Sequence, residues 1–303
     1  GSDATCLCDA EAPYTLDSES DCDDTDGSVN PDAIEECNDG IDNNCDGTAS
    51  GCGLLGEREA ADADAIFMGV SGGGLAGADI AYGTDITGDG DTDLVVGAYG
   101  ANSVTFISGP QLGSHSLDEF DHRTPSELST KISRDIAFPG DLNGDGSPDL
   151  LLGDPSYSIT ARPSAGAAYL YFGPVTADTD LNVPDVIVQG AFGNSYLGRD
   201  LGTIGDLDGD GNDDLMIGSL DAKYGGERTG GVVLVRGPIE SGTLDTALPG
   251  SVDVRLFGSV GGDKFGVAVT TPGDVSGDGL PDLVVGARQS NSSSGNVYVF
   301  GSS

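Results

Sequence analysis

Tryptophan is absent from this 303-residue chain, histidine and methionine occur twice each, and lysine and arginine together supply 12 residues against 51 acids. A formal charge of −39 argues against nucleic acid or an anionic membrane surface as partner, because phosphates are drawn to cationic surfaces. No apolar run approaches the ~18 residues that a membrane-spanning helix needs. No signal peptide is visible; Gly1-Ser2 reads as a cloning remnant, so a leader is expected to have been removed. Both histidines, His115 and His122, fall in one polar stretch, "QLGSHSLDEFDHRTPSEL", which reads as a solvated insertion and a candidate recognition loop. No Gly-x-Ser-x-Gly elbow, His-Glu-x-x-His helix or phosphate-binding loop occurs. The chain is expected not to be an enzyme.

Cysteine is missing after residue 52. All six (Cys6, Cys8, Cys22, Cys37, Cys45, Cys52) crowd into a segment with 15 acids and no lysine or arginine. An even, dense set implies disulfides formed in an oxidising compartment, with about 15 pairings open for six cysteines. The alternative is a thiolate metal site, although soft thiolates among hard carboxylates suit no single metal well. Residues 1–52 hold few large apolar side chains, so cross-links or bound ions must supply their order.

What is present from residue 53 to 303 is a repeat. "DITGDGDTDLVVGA" starts at Asp85, "DLNGDGSPDLLLGD" at Asp141, "DLDGDGNDDLMIGS" at Asp206 and "DVSGDGLPDLVVGA" at Asp274, at intervals of 56, 65 and 68 residues. A short strand precedes each acidic loop ("ADIAYG", "RDIAFPG", "RDLGTIG", "GVAVTTPG"). An unbroken apolar strand follows it, and a third strand ends in glycine ("SVTFISGP", "AAYLYFGP", "GVVLVRGP", "NVYVFGSS"). A fourth kind reads "DAIFMGV", "STKIS", "DVIVQG" and "VDVRLFG". Four strands in about 60 residues make a propeller blade, so the fold class is all-β, a four-bladed β-propeller. The last repeat lacks its fourth strand and Asp64–Val70 is a spare one. The N-terminal strand is therefore expected to close the last blade and hide its edge; an open solenoid or a half-ring that dimerises is the alternative.

Each acidic loop carries oxygen-bearing side chains at places 1, 3, 5 and 9, with a carbonyl at 7 and glycine at 6. Calcium takes six to eight oxygens at ~2.3–2.6 Å, and glycine permits the sharp turn. The expected ligand sets are Asp85, Thr87, Asp89, the Asp91 carbonyl and Asp93; Asp141, Asn143, Asp145, the Ser147 carbonyl and Asp149; Asp206, Asp208, Asp210, the Asn212 carbonyl and Asp214; and Asp274, Ser276, Asp278, the Leu280 carbonyl and Asp282. The third set carries the most charge and is expected to bind most tightly. Ordinary Asp-Gly turns would explain one such loop; four in register, each before an apolar strand, point to ions. In the N-terminal segment Asp24, Asp26, Ser28, Asn30 and Glu35 follow EF-hand spacing, and Asp42, Asn44 and Asp46 begin a second frame. Four calcium ions are expected in the ring and one or two in the segment.

Residues 64–303 resemble FG-GAP repeats, the blades of integrin α-subunit propellers, through "YLGRDLGTIGDLDGDGNDDLMIGS" and "KFGVAVTTPGDVSGDGLPDLVVGA". Leu197-Gly198 and Phe265-Gly266 fit the family's opening dipeptide; Leu75-Ala76-Gly77 stands near it in repeat one, and repeat two lacks it at "SRDIAF". Integrin propellers have seven blades, against four repeats here. The stretch "DCDDTDGSVNPDAIEECNDGIDNNCDG" resembles the MopE-type metal-binding motif of bacterial extracellular proteins, a family associated with both calcium and copper; this segment has neither His nor Met to favour copper. The resemblance implies ion loops on one rim and recognition on the other, in a secreted or cell-surface, monomeric adhesion module for an extracellular protein or glycan. The candidate contacts are residues 157–163, 223–228 and 289–294, with Arg162, Lys223, Arg228 and Arg288 as cations against an acidic body. A secreted polysaccharide-acting enzyme and an envelope spacer or metal store are the alternatives.

Overall fold

The computed structural model describes residues 26–27, 29–31, 41–43, 45, 59–109, 111–125, 128, 131–277, 279–290 and 294–301. The chain divides into two compact units, Gly1–Ala63 and Asp64–Ser303.

Strands make up the second unit, because its apolar runs are short and bounded by glycine, proline and aspartate. The first repeat contributes β1 (Ala65–Met68), β2 (Ala76–Thr84), β3 (Asp93–Ala98), β4 (Ser103–Ser108), β5 (Gly113–Ser116) and β6 (Asp121–Arg123). The second supplies β7 (Ile136–Gly140), β8 (Asp149–Asp154), β9 (Ala167–Tyr171) and β10 (Val186–Gln189). The third runs through β11 (Leu197–Thr203), β12 (Leu215–Ser219), β13 (Lys223–Tyr224), β14 (Glu227–Arg228), β15 (Gly231–Val235), β16 (Gly242–Asp245) and β17 (Val254–Phe257). The fourth has β18 (Phe265–Thr270), β19 (Leu283–Ala287) and β20 (Asn296–Phe300).

Among the described residues four main sheets result, in the orders β2-β3-β4-β6, β7-β8-β9-β10 with β16 added in parallel beyond β10, β11-β12-β15-β17, and β18-β19-β20. The second and third strands of the first three sheets are largely buried along their whole length, as continuous apolar strands require. Apolar clusters fill the spaces between successive sheets. Leu142, Leu151 and Val186 pack with Leu201, Ile217 and Val235, and Ile204, Met216 and Val232 pack with Phe265, Val269 and Val285.

Three features join successive sheets. The opening-motif glycines Gly198 (φ 78°) and Gly266 (φ 80°) lie on the preceding sheet; an added Cβ would stand 2.2 Å from the Ala167 carbonyl and 2.1 Å from that of Gly231. Aspartates on the first strands then reach forward. Asp79 accepts the Ile136 N–H (2.6 Å), Asp135 that of Leu201 (2.5 Å) and Asp200 that of Val269 (2.6 Å). Position 268, their counterpart in the fourth sheet, is alanine. The acidic loops dock as well, through their second residues. The Ile86 carbonyl accepts from Val175 N–H (2.8 Å) and Leu142 from Ile239 (2.6 Å), both with their side chains fully buried.

Two strand expectations differ from the structure. β1 pairs in parallel with β5, not with β20, and among the described residues β20 pairs only with β19, so no closed ring of sheets is formed. The β1–β5 pairing repeats that of β10 with β16, so β1 occupies the position of an outer strand beside the insertion of the following repeat. The outer strand of the first sheet is β6, which pairs with β4. Of the expected strand at 129–133, residues 129 and 130 lie outside the described residues, and Ile132 and Ser133 are buried outside any strand.

Burial next to Asp200 and Asp79 raises the Asp135 carboxyl to about 8. A native pKa above the unfolded value means that the folded chain holds a proton the unfolded chain has released. Stability from this group is whole below about pH 4 and lost as pH rises towards 8. Asn keeps the acceptor for Leu201 without the charge. Asp135→Asn is therefore expected to leave the melting midpoint unchanged near pH 4 and to raise it by a few degrees at pH 8, about 2 kcal/mol, measured by thermal unfolding in saturating calcium.

Candidate metal sites

Each acidic loop leaves the end of a first strand and returns as the buried second strand, so its fold is set by what its first aspartate can accept. In the first loop Asp85 Oδ1 accepts from the N–H groups of Gly88 (2.7 Å) and Asp89 (3.0 Å), and Oδ2 from Gly90 (2.9 Å). Asp141 takes Gly144 (2.8 Å), Asp145 (3.1 Å) and Gly146 (2.7 Å). Asp206 takes Gly209 (2.7 Å), Asp210 (3.0 Å) and Gly211 (2.8 Å). Asp274 takes Gly277 (2.5 Å) and Gly279 (2.8 Å). The fifth-place carboxylate accepts from the seventh-place N–H in Asp89, Asp145 and Asp210, at 2.8–2.9 Å. Four sequences thus make one loop.

The ninth-place aspartates Asp93, Asp149, Asp214 and Asp282 are fully buried beneath the loops. In the second and third loops both oxygens take backbone N–H groups: Leu142 (2.8 Å) and Gly173 (2.9 Å) for Asp149, Leu207 (2.9 Å) and Gly237 (3.0 Å) for Asp214. In the first and fourth, one oxygen accepts from Thr87 N–H (2.9 Å) or from Val275 (2.7 Å) and Ser276 (2.5 Å). The other, Oδ1 of Asp93 or Asp282, is buried without a partner, as is Thr87 Oγ1. A buried carboxylate oxygen lacking a donor is costly unless a cation meets it.

The third loop gathers most charge: carboxylate oxygens of Asp206, Asp208 and Asp210 lie within 4.8 Å of one another. Backbone N–H groups, that of Gly211 foremost, hold Asp206 below the usual carboxylate range, and the Asp91 N–H does the same for Asp89. In the second loop the Asn143 side chain lowers Asp145. Burial instead pushes Asp149 up to about 6 and raises Asp214. The exposed loop acids are therefore ready cation ligands at neutral pH, and the hard oxygen set fits calcium better than a soft metal.

One feature was not expected from spacing. Arg236 Nη1 stands 3.2 Å from Asp208 Oδ2, offsetting part of the extra charge of the third loop. Arg236→Ser is expected to tighten calcium binding there by about three- to tenfold at low ionic strength and less at high salt, read by calcium titration.

Of the N-terminal candidates, Asp26, Asn30, Asp42 and Cys45 are described; Asp24, Ser28, Glu35, Asn44 and Asp46, with Cys6, Cys8, Cys22, Cys37 and Cys52, lie outside the described residues, as does Asp278. Within that unit the two frames meet: Asn30 N–H donates to the Asn43 carbonyl (2.8 Å), beside buried Val29 and Asn43. Cys45 is disulfide-bonded.

The histidine stretch is not a solvated loop. His115 lies in β5, stacked on Phe67 and edge-on to Phe120, and His122 in β6, with Nδ1 2.7 Å from Thr105 Oγ1. Two of the expected contact cations are also engaged. Arg162 pairs with Asp245 (2.6 Å), and Arg228 donates to the carbonyls of Asn194 (2.5 Å) and Gly193 (2.9 Å). These arginines tie loops together.

Comparison with known proteins agrees with this geometry. Residues 137–171 and 265–300 match the FG-GAP repeat, and residues 85–152 the FG-GAP-like repeat. Residues 21–50 match the Cu-binding MopE family, described as "Putative metal-binding motif". Integrin alpha-5 of Xenopus laevis is 30% identical over 215 residues, 66% of this chain and 18% of that protein. Human integrin alpha-IIb is 31% identical over 215 residues, 67% and 19%. Phosphatidylinositol-glycan-specific phospholipase D of Rattus norvegicus is 32% identical over 196 residues, 57% and 23%. The aligned part thus spans about a fifth of the length of these curated relatives.

Proposed function

We propose, from a chain that carries integrin-type FG-GAP repeats behind a MopE-type motif, that it is a calcium-braced, four-bladed propeller module for recognition outside the cell. The observation that carries this reading is the repeated loop. Four loops share one hydrogen-bond pattern, and two press their buried second residue onto the next sheet. An ion in each loop would fix that sheet's contact with its neighbour, so calcium would hold the blades in one arrangement. The ligands of this reading are the four sets given above, with four ions in the propeller and one or two more in the segment of residues 1–52.

The ligand is an extracellular protein or glycan, and the module is secreted or displayed at a cell surface. Among the described residues no helix is long and apolar enough to cross a membrane. Non-enzymatic binding is favoured because both histidines serve packing and strand pairing. An array of extracellular proteins and glycans probed with the full chain tests this. Binding in calcium that disappears in EGTA is the expected result; turnover of a polysaccharide, or binding indifferent to EGTA, contradicts it.

A further inference from the structure

Second strands begin at the acidic loops, so their far ends define the opposite face. There a cavity of about 310 Å³ opens among Tyr99, Lys131, Arg134, Ser156, Tyr196 and Arg199. These residues follow β3 and β8, or precede and enter β7 and β11, so three sheets contribute. In a chain with 12 lysines and arginines, three meet in this one place. Among the described residues none of the three makes an ion pair or a side-chain hydrogen bond; the ion pairs belong to His115, Arg123, Arg162, Arg236 and Lys264. Arg134 Cζ lies 5.5 Å from the centre of the Tyr99 ring, which orients its donors without using them. Burial, then Arg134 and Arg288, lower the Arg199 pKa, while Asp135 and Asp200 oppose the shift; the cations are held close together. Ser156 is fixed by buried Asp154, which accepts its N–H (2.9 Å) and its hydroxyl (2.7 Å).

We propose that this cavity is a binding site for one acidic sugar residue, with Arg134, Arg199 and Lys131 meeting its carboxylate and Tyr99 and Tyr196 meeting the faces of its ring. Guanidinium forks match carboxylates in geometry, and each such charged hydrogen bond counts for more than a neutral one. The cavity's size sits at the small end for ligand sites, which suits a single ring. A long polyanion would be repelled by a body of charge −39, so an isolated acidic residue in a glycan is the better fit. A peptide is disfavoured because β3, β8 and β12 are paired on both sides, leaving no edge there for its main chain to extend. The proposal rests on the recognition reading for its place in the function, not on calcium.

Calorimetric titration of the full chain in calcium with methyl glucuronide, methyl glucoside, sodium sulfate and an acetylated aspartate peptide tests it. Binding of the glucuronide at least tenfold tighter than each of the other three is expected. Arg134→Gln and Arg199→Gln should each weaken it ten- to a hundredfold, and Lys131→Gln, at an exposed position, about threefold. Affinity should fall with added salt. Calcium count and melting midpoint, measured on the same variants, keep a folding defect or a failed calcium brace separate from loss of this site. Equal binding of glucoside, sulfate as tight as glucuronide, a tighter peptide, or no change in folded Arg134→Gln and Arg199→Gln would each overturn the proposal.

Discussion

Removing calcium with EGTA is expected to lower the melting midpoint by about 15 °C or more. By mass action, an ion present at ~1,000 times its dissociation constant stabilises the folded state by about 4 kcal/mol per site. A domain of this size melts ~2–4 °C lower per kcal/mol lost. Several sites acting on successive sheet contacts therefore add to a large shift, even if each is several-fold weaker than that. The local reason is the crowding of acids: Asp206, Asp208 and Asp210 within 4.8 Å repel one another, and Asp93 and Asp282 each keep a buried oxygen without a donor. Magnesium should replace calcium poorly, since it demands near-octahedral geometry and retains its water. Differential scanning calorimetry in calcium, magnesium and EGTA makes the comparison.

The second large effect concerns a single methyl group. Gly198→Ala is expected to destabilise the chain by more than about 3 kcal/mol, because the new Cβ would meet the Ala167 carbonyl at 2.2 Å on a backbone at φ 78°. The carbonyl belongs to β9, which is paired on both sides, so it cannot retreat from the new methyl without parting two sheets. Gly77 holds the same place in the first repeat with a similar φ of 74°, but an added Cβ there meets nothing within 4 Å. Gly77→Ala should therefore cost only about 1 kcal/mol, the strain of the left-handed conformation. Denaturant unfolding of the two variants separates sheet-to-sheet approach from backbone strain; equal losses would mean that the blades do not pack through this glycine.

Much of this architecture was legible in the residues. The apolar strands after Asp93, Asp149, Asp214 and Asp282, and the glycine-ended strands that follow, announce themselves by length and punctuation, and the acidic loops by spacing. β5 and β16 did not, because "GSHS" and "GTLD" are short and polar; their parallel pairing comes from the neighbouring repeat. The forward-reaching aspartates were visible as "ADI", "RDI" and "RDL" against "VAV" in the fourth repeat, yet only the neighbouring sheet explains them. His115 and His122 read as surface because the sequence does not show the phenylalanines beside His115 or the Thr105 hydroxyl beside His122. The cationic cavity was hidden for a different reason: Lys131, Arg134 and Arg199 look scattered until two repeats are folded side by side.

Native mass spectrometry of the full chain in calcium decides whether ions fill the four loops, run beside a variant carrying Asp85→Asn, Asp141→Asn, Asp206→Asn and Asp274→Asn. These substitutions keep an acceptor for the loop N–H groups while removing one charge per loop. Five or six bound ions are expected for the unaltered chain and four fewer for the variant. An unchanged count, or loops that bind no calcium when it is plentiful, would contradict calcium filling of the loops.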